Sequence, residues 1–118
     1  MPEADRFARR VALKVKQEKL HEFLSVTRRD LGPGLAREKG LRRFFLIRSV
    51  ENMNEFVALT LWNSKRDADN YEKSGRYAKN LEKVRDMLEG VPVLSEFHVE
   101  LHKVGGSVAK RRSKRTRR

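Results

Sequence analysis

The stretch of residues 56–71, FVALTLWNSKRDADNY, constrains the fold more than any other part of the chain. Its first seven residues place apolar side chains on both parities of an alternating pattern, with the period of two that a β-strand requires. Asn63 and Ser64 then end the strand, and Asp67 follows Ser64 at the spacing of a helix capping box. The only tryptophan, Trp62, is therefore predicted to lie where a strand ends and a helix begins.

The remaining segments predict an α+β chain with the order β-α-β-β-α-β. We expect strands over residues 6–16, 41–50, 56–62 and 92–102, and helical segments over residues 17–31 and 64–89. Gly32-Pro33-Gly34 is predicted to break the first helical segment, and Gly75 to interrupt the second. Two βαβ crossovers joined by a central hairpin predict a ferredoxin-like fold, in which a four-stranded antiparallel sheet carries both helices on one face.

The composition excludes several classes of function. There is no cysteine among the 118 residues, which rules out a disulfide framework, a thiolate zinc site and a cysteine nucleophile. The longest uninterrupted aliphatic or aromatic run, residues 44–47, is far too short to span a membrane, and the N-terminus has no apolar run of the signal-peptide kind. The sequence therefore predicts a soluble cytoplasmic protein with no membrane partner.

The net charge of +12 is concentrated at the C-terminal end. Residues 107–118 carry seven Lys or Arg and no acid, and the rest of the chain has a net charge of only +5. We therefore predict a domain at residues 6–102 between a flexible N-terminus at 1–5 and a disordered basic tail at 103–118. Sequence-independent nucleic-acid binding by the tail would use Lys110, Arg111, Arg112, Lys114, Arg115, Arg117 and Arg118.

The second predicted strand is apolar on both of its faces. Phe44 and Leu46 share one parity, and Phe45 and Ile47 share the other. Because the helices of this fold cover only one face of the sheet, the second apolar face would be exposed in a monomer. The sequence therefore predicts a homodimer in which a symmetric partner covers that face, but it does not decide whether Phe44 or Phe45 points inward.

Residues 40–77, GLRRFFLIRSVENMNEFVALTLWNSKRDADNYEKSGRY, resemble the antibiotic biosynthesis monooxygenase family of dimeric α+β barrels. The shared features are a Gly-hydrophobic start to the second strand, an acidic-Asn hairpin and a strand that ends in Trp-x-Ser, and the resemblance in element order covers roughly residues 6–101. It implies a homodimer around an apolar pocket. It also implies oxidation of a quinol- or anthrone-like aromatic substrate without metal or flavin.

The same resemblance includes a heme-degrading branch, which places an iron-ligating histidine on the second helix. Residues 76–85 here read RYAKNLEKVR and contain no histidine. Heme is therefore not predicted. No other cofactor or metal is predicted either, since the resemblance implies oxidation without metal or flavin.

The candidate substrate-binding residues come from the first three strands. Trp62 is either the wall of a substrate pocket or a core plug, and the neighbouring candidates are Phe44, Phe45 and Thr60. Arg10 and Lys14 share one face of the first strand, where they would hold an anionic oxygen or would simply be basic surface residues.

His98 is the predicted acid/base residue, since an imidazole near a carboxylate can deprotonate a phenol or quinol. Its parity is opposite to that of Phe97 and Val99, which predicts that it faces away from the helices. The alternative is a solvated edge strand. We therefore predict a monooxygenase-like protein, with two alternatives: a non-catalytic ligand-binding or stress-response module, or a nucleic-acid-associated protein.

Overall fold

The computed structural model describes residues 6–105, in which four strands and four α-helices form an α+β fold. The strands are β1 (Phe7–Lys14), β2 (Leu41–Arg48), β3 (Glu55–Trp62) and β4 (Val93–His98), and the helices are α1 (Leu20–Val26), α2 (Gly32–Ala36), α3 (Lys65–Lys73) and α4 (Arg76–Val84). Residues 1–5 and the nucleic-acid-binding candidates at 110–118 lie outside the described part of the chain. No helix within residues 6–105 is long and apolar enough to cross a membrane.

The sheet has the strand order β2-β3-β1-β4, and every neighbouring pair is antiparallel. The central strand β1 pairs with β3 from Phe7↔Trp62 to Lys14↔Glu55 and with β4 from Phe7↔His98 to Ala12↔Val93. This topology is the ferredoxin-like arrangement that the element order predicts, so the predicted fold is confirmed.

Cross-strand pairing sorts the side chains into two faces, because directly paired residues of an antiparallel sheet point to the same side. The helix-covered face carries three rows across the strands: Leu46–Ala58–Val11–Leu94, Phe44–Thr60–Arg9–Glu96 and Trp62–Phe7–His98. The open face carries Ile47–Val57–Ala12–Val93, Phe45–Leu59–Arg10–Ser95 and Arg43–Leu61–Ala8–Phe97. Phe44 therefore points toward the helices and Phe45 away from them.

The turn between β3 and α3 is fixed by Ser64. Its hydroxyl oxygen accepts a hydrogen bond from the backbone N–H of Asp67 at 3.2 Å, as an N-cap residue does. The Asp67 carboxylate accepts the Ser64 hydroxyl proton at 3.2 Å. Gly40 lies beneath this turn with φ of +85°, and any Cβ at that position would collide with the Asp67 side chain.

The predicted break at Gly32-Pro33-Gly34 is wrong. The chain stays helical from α1 through a π-helical turn at Thr27–Leu31 into α2, and Leu31 has helical φ and ψ of −64° and −46°. Pro33 lies at the start of α2, directly after the π-helical turn, where the hydrogen-bond register of the helix changes. The Thr27 hydroxyl donates to the Phe23 carbonyl oxygen at 2.9 Å within this irregular stretch.

The core between the sheet and the helices consists of two clusters rather than one. The first surrounds Val15, Phe23 and Phe56, and the second surrounds Phe7, Trp62 and Tyr71. The two clusters leave a gap between them, and this gap is the candidate site.

Candidate functional site

A cavity of about 90 Å³ lies between the helix-covered face of the sheet and the helices. Most of its wall is aliphatic or aromatic, and its ring-bearing residues are Phe23, Phe44, Trp62, Tyr71 and Tyr77. Its polar groups are those of Arg9, Thr27, Thr60 and Asn80 together with the two tyrosine hydroxyls. An apolar cleft with a few convergent polar groups is the usual form of a small-molecule site.

Trp62 forms one wall of the cavity and is completely buried. Its indole Nε1–H donates a hydrogen bond to the Thr60 hydroxyl at 2.9 Å, which satisfies the one polar atom of the ring. The ring packs against Tyr71 with the centroids 5.4 Å apart. Trp62 is thus a core residue and a cavity wall at once, since one side of it packs in the second core cluster and it also borders the gap.

Tyr71 and Tyr77 are neutral groups of the cavity wall. Burial raises the pKa of the Tyr71 hydroxyl above its ordinary value, and the hydrogen bond that Asn80 Nδ2 donates to it at 2.7 Å opposes this shift only in part. Burial also raises the pKa of Tyr77. Neither phenol is therefore ionised near neutral pH, and neither acts there as a base.

Arg9 is the charged residue of the cavity wall, with 4% of its surface exposed. Its Nη2 lies 3.2 Å from Asp69 Oδ1, 2.7 Å from Glu72 Oε1 and 2.7 Å from Glu96 Oε2, and its Nε donates to the same Glu96 oxygen at 2.9 Å. The remaining nitrogen, Nη1, is buried and has no hydrogen-bond partner within the described residues. A buried guanidinium with an unpaired donor is unusual, because unmet hydrogen bonds of charged groups are costly.

Asp69, Glu72 and Glu96 bring carboxylate oxygens within 4.8 Å of one another, which is close enough to share a cation. Arg9 Nη2 already lies within 3.2 Å of all three carboxylates. The Arg9 guanidinium is therefore the cation of this cluster, and the acidic residues act as its counter-ions.

The structure brings together three of the predicted substrate-binding residues and separates the others from them. Trp62, Phe44 and Thr60 line the cavity. Phe45, which is 45% exposed, lies on the open face of the sheet, as do Arg10 and Lys14. Arg10 and Lys14 border a shallow groove on that face, where Lys14 Nζ lies 3.9 Å from Glu89 Oε1.

The predicted orientation of His98 is wrong. His98 is paired with Phe7 in the register of β4, and its ring meets the buried Phe7 ring edge-on at a centroid distance of 5.8 Å, on the helix-covered face. The prediction took Phe97 and Val99 as the buried parity, but Phe97 is 49% exposed on the open face. His98 does not line the cavity, because Phe7 stands between it and Trp62 in their row.

Arg9 is the site residue that the sequence analysis missed. Arg9 shares the strand parity of the apolar residues Phe7, Val11 and Leu13, so the available signal is a charged residue inside an apolar stripe. Its partners come from α3 and β4, 60 to 87 residues away along the chain. That distance hid the pairing from any local pattern.

Comparison with known protein families decides the relationship of the chain. A family model described as antibiotic biosynthesis monooxygenase matches residues 6–83. The chain belongs to this family. The resemblance seen in the sequence is thereby confirmed, whereas a search of curated proteins finds no match.

Solved structures agree with the family fold at low sequence identity. A putative antibiotic biosynthesis monooxygenase from Nitrosomonas europaea is 20% identical, with a TM-score of 0.72 over 83% of this chain and 93% of that one. SnoaB, a cofactor-independent oxygenase from Streptomyces nogalater, is also 20% identical, with a TM-score of 0.71 over 84% and 97%. A monooxygenase from the ActVA-Orf6 gene of Streptomyces coelicolor, solved with nanaomycin D, is 15% identical, with a TM-score of 0.71 over 85% and 92%.

Replacing Trp62 should separate its packing role from its contact with a ligand. Trp62→Ala removes a fully buried ring and should lower the free energy of unfolding by about 3–5 kcal/mol, measured by urea denaturation. Trp62→Phe should keep the fold but bind an aromatic ligand more weakly, because it fills less of the wall and leaves Thr60 without its donor. Val50→Ala, at a position 91% exposed, is the control. A Trp62→Ala variant as stable as this control would contradict the assignment of Trp62 to the wall.

The raised pKa of Tyr71 predicts a loss of stability at alkaline pH. The folded-state pKa lies above that of the unfolded chain, near 10, so the stabilisation is complete below pH 10. It falls as the pH rises toward the folded-state pKa, because only the unfolded chain then loses the proton. Tyr71→Phe should reduce the slope of unfolding free energy against pH above pH 10 by up to about 1.4 kcal/mol per pH unit. If the unfolding free energies of the wild type and Tyr71→Phe, measured in urea from pH 8 to pH 11, have equal slopes against pH, the raised pKa of Tyr71 is contradicted.

Proposed function

We propose that the protein binds a small planar aromatic compound in the cavity beside Trp62 and oxidises it without a cofactor. The observation that carries this proposal is the cavity itself, in which five aromatic side chains surround an apolar space with one buried guanidinium at its edge. Stacking and apolar contact with such a wall suit an aromatic ring. Trp62, Phe44 and Thr60 are the proposed substrate contacts, and the substrate class is a quinol- or anthrone-like compound.

Family membership supports oxidation as the reaction. One structural relative is a cofactor-independent oxygenase, and another was solved with nanaomycin D. In the proposed reaction of an anthrone-like substrate, an activated methylene becomes a carbonyl. One molecule of O₂ is consumed, with one oxygen atom retained in the product and the other released as water.

A second candidate is ligand binding without turnover. The cavity wall formed by residues 6–105 contains no carboxylate and no imidazole, and its two phenols stay protonated near neutral pH. A site of this kind can hold an aromatic compound but offers no ordinary general base. This observation favours a binding or stress-response module over an enzyme that must deprotonate its substrate.

His98 stays the acid/base candidate of the catalytic proposal, although it would have to act from outside the cavity wall. Its ring lies against Phe7, which separates it from the cavity. A catalytic His98 therefore requires a substrate that extends past Phe7 toward the edge of the sheet.

Oxygen uptake decides between the two candidates. An enzyme should consume O₂ and form the oxidised product in equal amounts with a quinol or anthrone, and His98→Gln should lower the rate of oxygen uptake. Val50→Gln serves as the control on an exposed position. Binding of the compound with no oxygen uptake would support the module instead. An unchanged rate of oxygen uptake in His98→Gln would remove His98 from the mechanism.

We also propose that the protein is a homodimer joined through the open face of the sheet. That face exposes four large apolar side chains, Phe45, Ile47, Val93 and Phe97, at 45–56% of their surface. Val57, Leu59 and Leu61 lie between them on β3 and are only partly covered. An apolar sheet face of this size is rarely left to solvent, and a second copy presents a matching face.

Light scattering after a sizing column should give about 27.6 kDa, twice the chain mass of 13.8 kDa. Phe45→Glu should convert the dimer into a folded monomer, because Phe45 lies on the open face. Phe44→Glu should unfold the chain, because Phe44 lines the cavity. Val50→Glu, at the hairpin, should leave the dimer intact. A folded wild-type monomer at micromolar concentration would contradict this interface.

Nucleic-acid binding through residues 107–118 stays a prediction, since these residues lie outside the described part of the chain. The charge of this segment would make such binding sequence-independent and steeply weakened by salt.

A further inference from the structure

The buried arginine gives the cavity a polarity that the aromatic wall alone would not have. Arg9 is the one residue of the described cavity wall that carries a formal charge at neutral pH. It lies in the middle of the row Phe44–Thr60–Arg9–Glu96, so its strand position places it between the aromatic part of the wall and the acidic residues at the sheet edge. Arg9 is therefore the one charged group that a polar ligand atom can meet among the described wall residues.

The three guanidinium nitrogens of Arg9 differ in their hydrogen-bond partners. Nε and Nη2 are directed to the carboxylates of Asp69, Glu72 and Glu96, at 2.7 to 3.2 Å. Nη1 is equally buried, yet none of its neighbours within residues 6–105 accepts a hydrogen bond from it. Because the guanidinium is planar and rigid, fixing Nε and Nη2 on the carboxylates also fixes the direction of the Nη1 donors. Nη1 is thus a pre-oriented donor on a residue of the cavity wall.

The surrounding charges decide to which kind of oxygen Nη1 would donate. Three cations, Arg9, Lys65 and Lys73, face the three carboxylates of Asp69, Glu72 and Glu96, and Lys65 Nζ lies 2.9 Å from Asp69 Oδ2. The Lys65 hydrogen bond lowers the pKa of Asp69, so this carboxylate is ionised at neutral pH. The charge of Arg9 is thus already balanced, and an anionic ligand in the largely apolar cavity would lose its hydration without gaining an uncompensated counter-ion. A neutral carbonyl or hydroxyl oxygen accepts the same hydrogen bond at a much smaller desolvation cost.

The volume of the cavity limits how many fused rings a ligand can have. Its volume is about 90 Å³. An engineered apolar cavity of about 150 Å³ holds benzene, so one ring is the largest aromatic unit that fits here with small adjustments of the wall. A tricyclic compound would require the two core clusters to separate further.

We propose that Arg9 Nη1 donates a hydrogen bond to a neutral carbonyl or hydroxyl oxygen of a single-ring aromatic ligand, and that Arg9 is the residue that selects this ligand class. The inference rests on the proposed function of the cavity as a ligand site. It narrows the substrate class from quinol- or anthrone-like compounds to single-ring, oxygenated and uncharged ones. Arg9 acts here in binding, through a hydrogen bond from a charged donor, which no other described residue of the cavity wall carries.

Three probe compounds of nearly equal shape test the inference on the wild-type protein. Acetophenone carries a neutral carbonyl, benzoate carries a charged carboxylate, and isopropylbenzene carries no oxygen. The indole N–H resonance of Trp62, the only tryptophan, reports occupation of the cavity in an NMR titration at pH 7. We expect acetophenone to bind about tenfold or more tightly than isopropylbenzene, which is the size of effect that a hydrogen bond to a charged group gives. Benzoate should bind no more tightly than isopropylbenzene.

Substitution then assigns the selectivity to Arg9. Arg9→Lys keeps the positive charge for the three carboxylates but removes Nη1, so the acetophenone-to-isopropylbenzene affinity ratio should fall to about one. Arg76→Lys is the matched control. Arg76 also holds a carboxylate through Nε and Nη2, at 2.7 and 2.9 Å from Glu38, but it lies outside the cavity wall. Its ratio should equal that of the wild type. If Arg9→Lys fails to fold, the comparison of the three probes on the wild-type protein still decides the inference.

The possible results separate failure of the inference from failure of the proposed function. Equal binding of acetophenone and isopropylbenzene would overturn the role of Arg9 while leaving the cavity as an aromatic site. Tightest binding of benzoate would overturn the preference for a neutral oxygen. An unchanged affinity ratio in folded Arg9→Lys would assign the selectivity to another group. Absence of binding by all three probes would overturn the inference together with the ligand site on which it rests.

Discussion

The structure depends on one geometric constraint: two helical segments cover only one of the two faces of a four-stranded sheet. The covered face must supply the whole core of the chain, and its rows run from the aliphatic Leu46–Ala58–Val11–Leu94 to the aromatic Trp62–Phe7. The open face keeps a second set of apolar side chains, centred on Phe45 and Leu59. The same alternation of strands that builds the core therefore also produces the surface proposed for the dimer.

The cavity exists because the helical layer is irregular. The π-helical turn at Thr27–Leu31 and the αL residue Gly75, with φ of 89°, divide the layer into short helices that pack over different ends of the sheet. One group of side chains gathers around Phe23 and Phe56, and the other around Trp62 and Tyr71. A gap remains between the two groups, where Thr60 and Ala58 present small side chains.

Arg9 lies between the cavity and a group of partly exposed carboxylates. A buried cation is tolerated only with close counter-ions, and three carboxylates supply them at 2.7 to 3.2 Å. The carboxylates come from α3 and β4, so the ion cluster also ties the second helical segment to the edge of the sheet. Arg9 therefore links α3 to β4 and also supplies a polar group to the cavity wall. Trp62 likewise has two roles, since it packs in the core and borders the cavity.

The sequence by itself determined the order of elements, the fold class and the ends of the third strand and the following helix. Periodicity and capping act over two to four residues, so Ser64 and Gly75 could be placed from the chain alone. Trp62, Phe44 and Thr60 could be named as site candidates for the same reason, since they end or line predicted strands.

Only the tertiary structure decided which face of each strand is covered. The edge strand β4 shows why: Phe97 and His98 differ by one position, and strand periodicity fixes that they oppose each other but not which of them meets the helices. The continuous helix through Gly32-Pro33-Gly34 likewise depends on packing that outweighs local preference. The pairing of Arg9 with residues as far away as Glu96 follows from strand order, which no local pattern contains. In the sequence, a buried charged residue is visible only as an exception to an apolar stripe. Its role depends on the groups that the fold places around it.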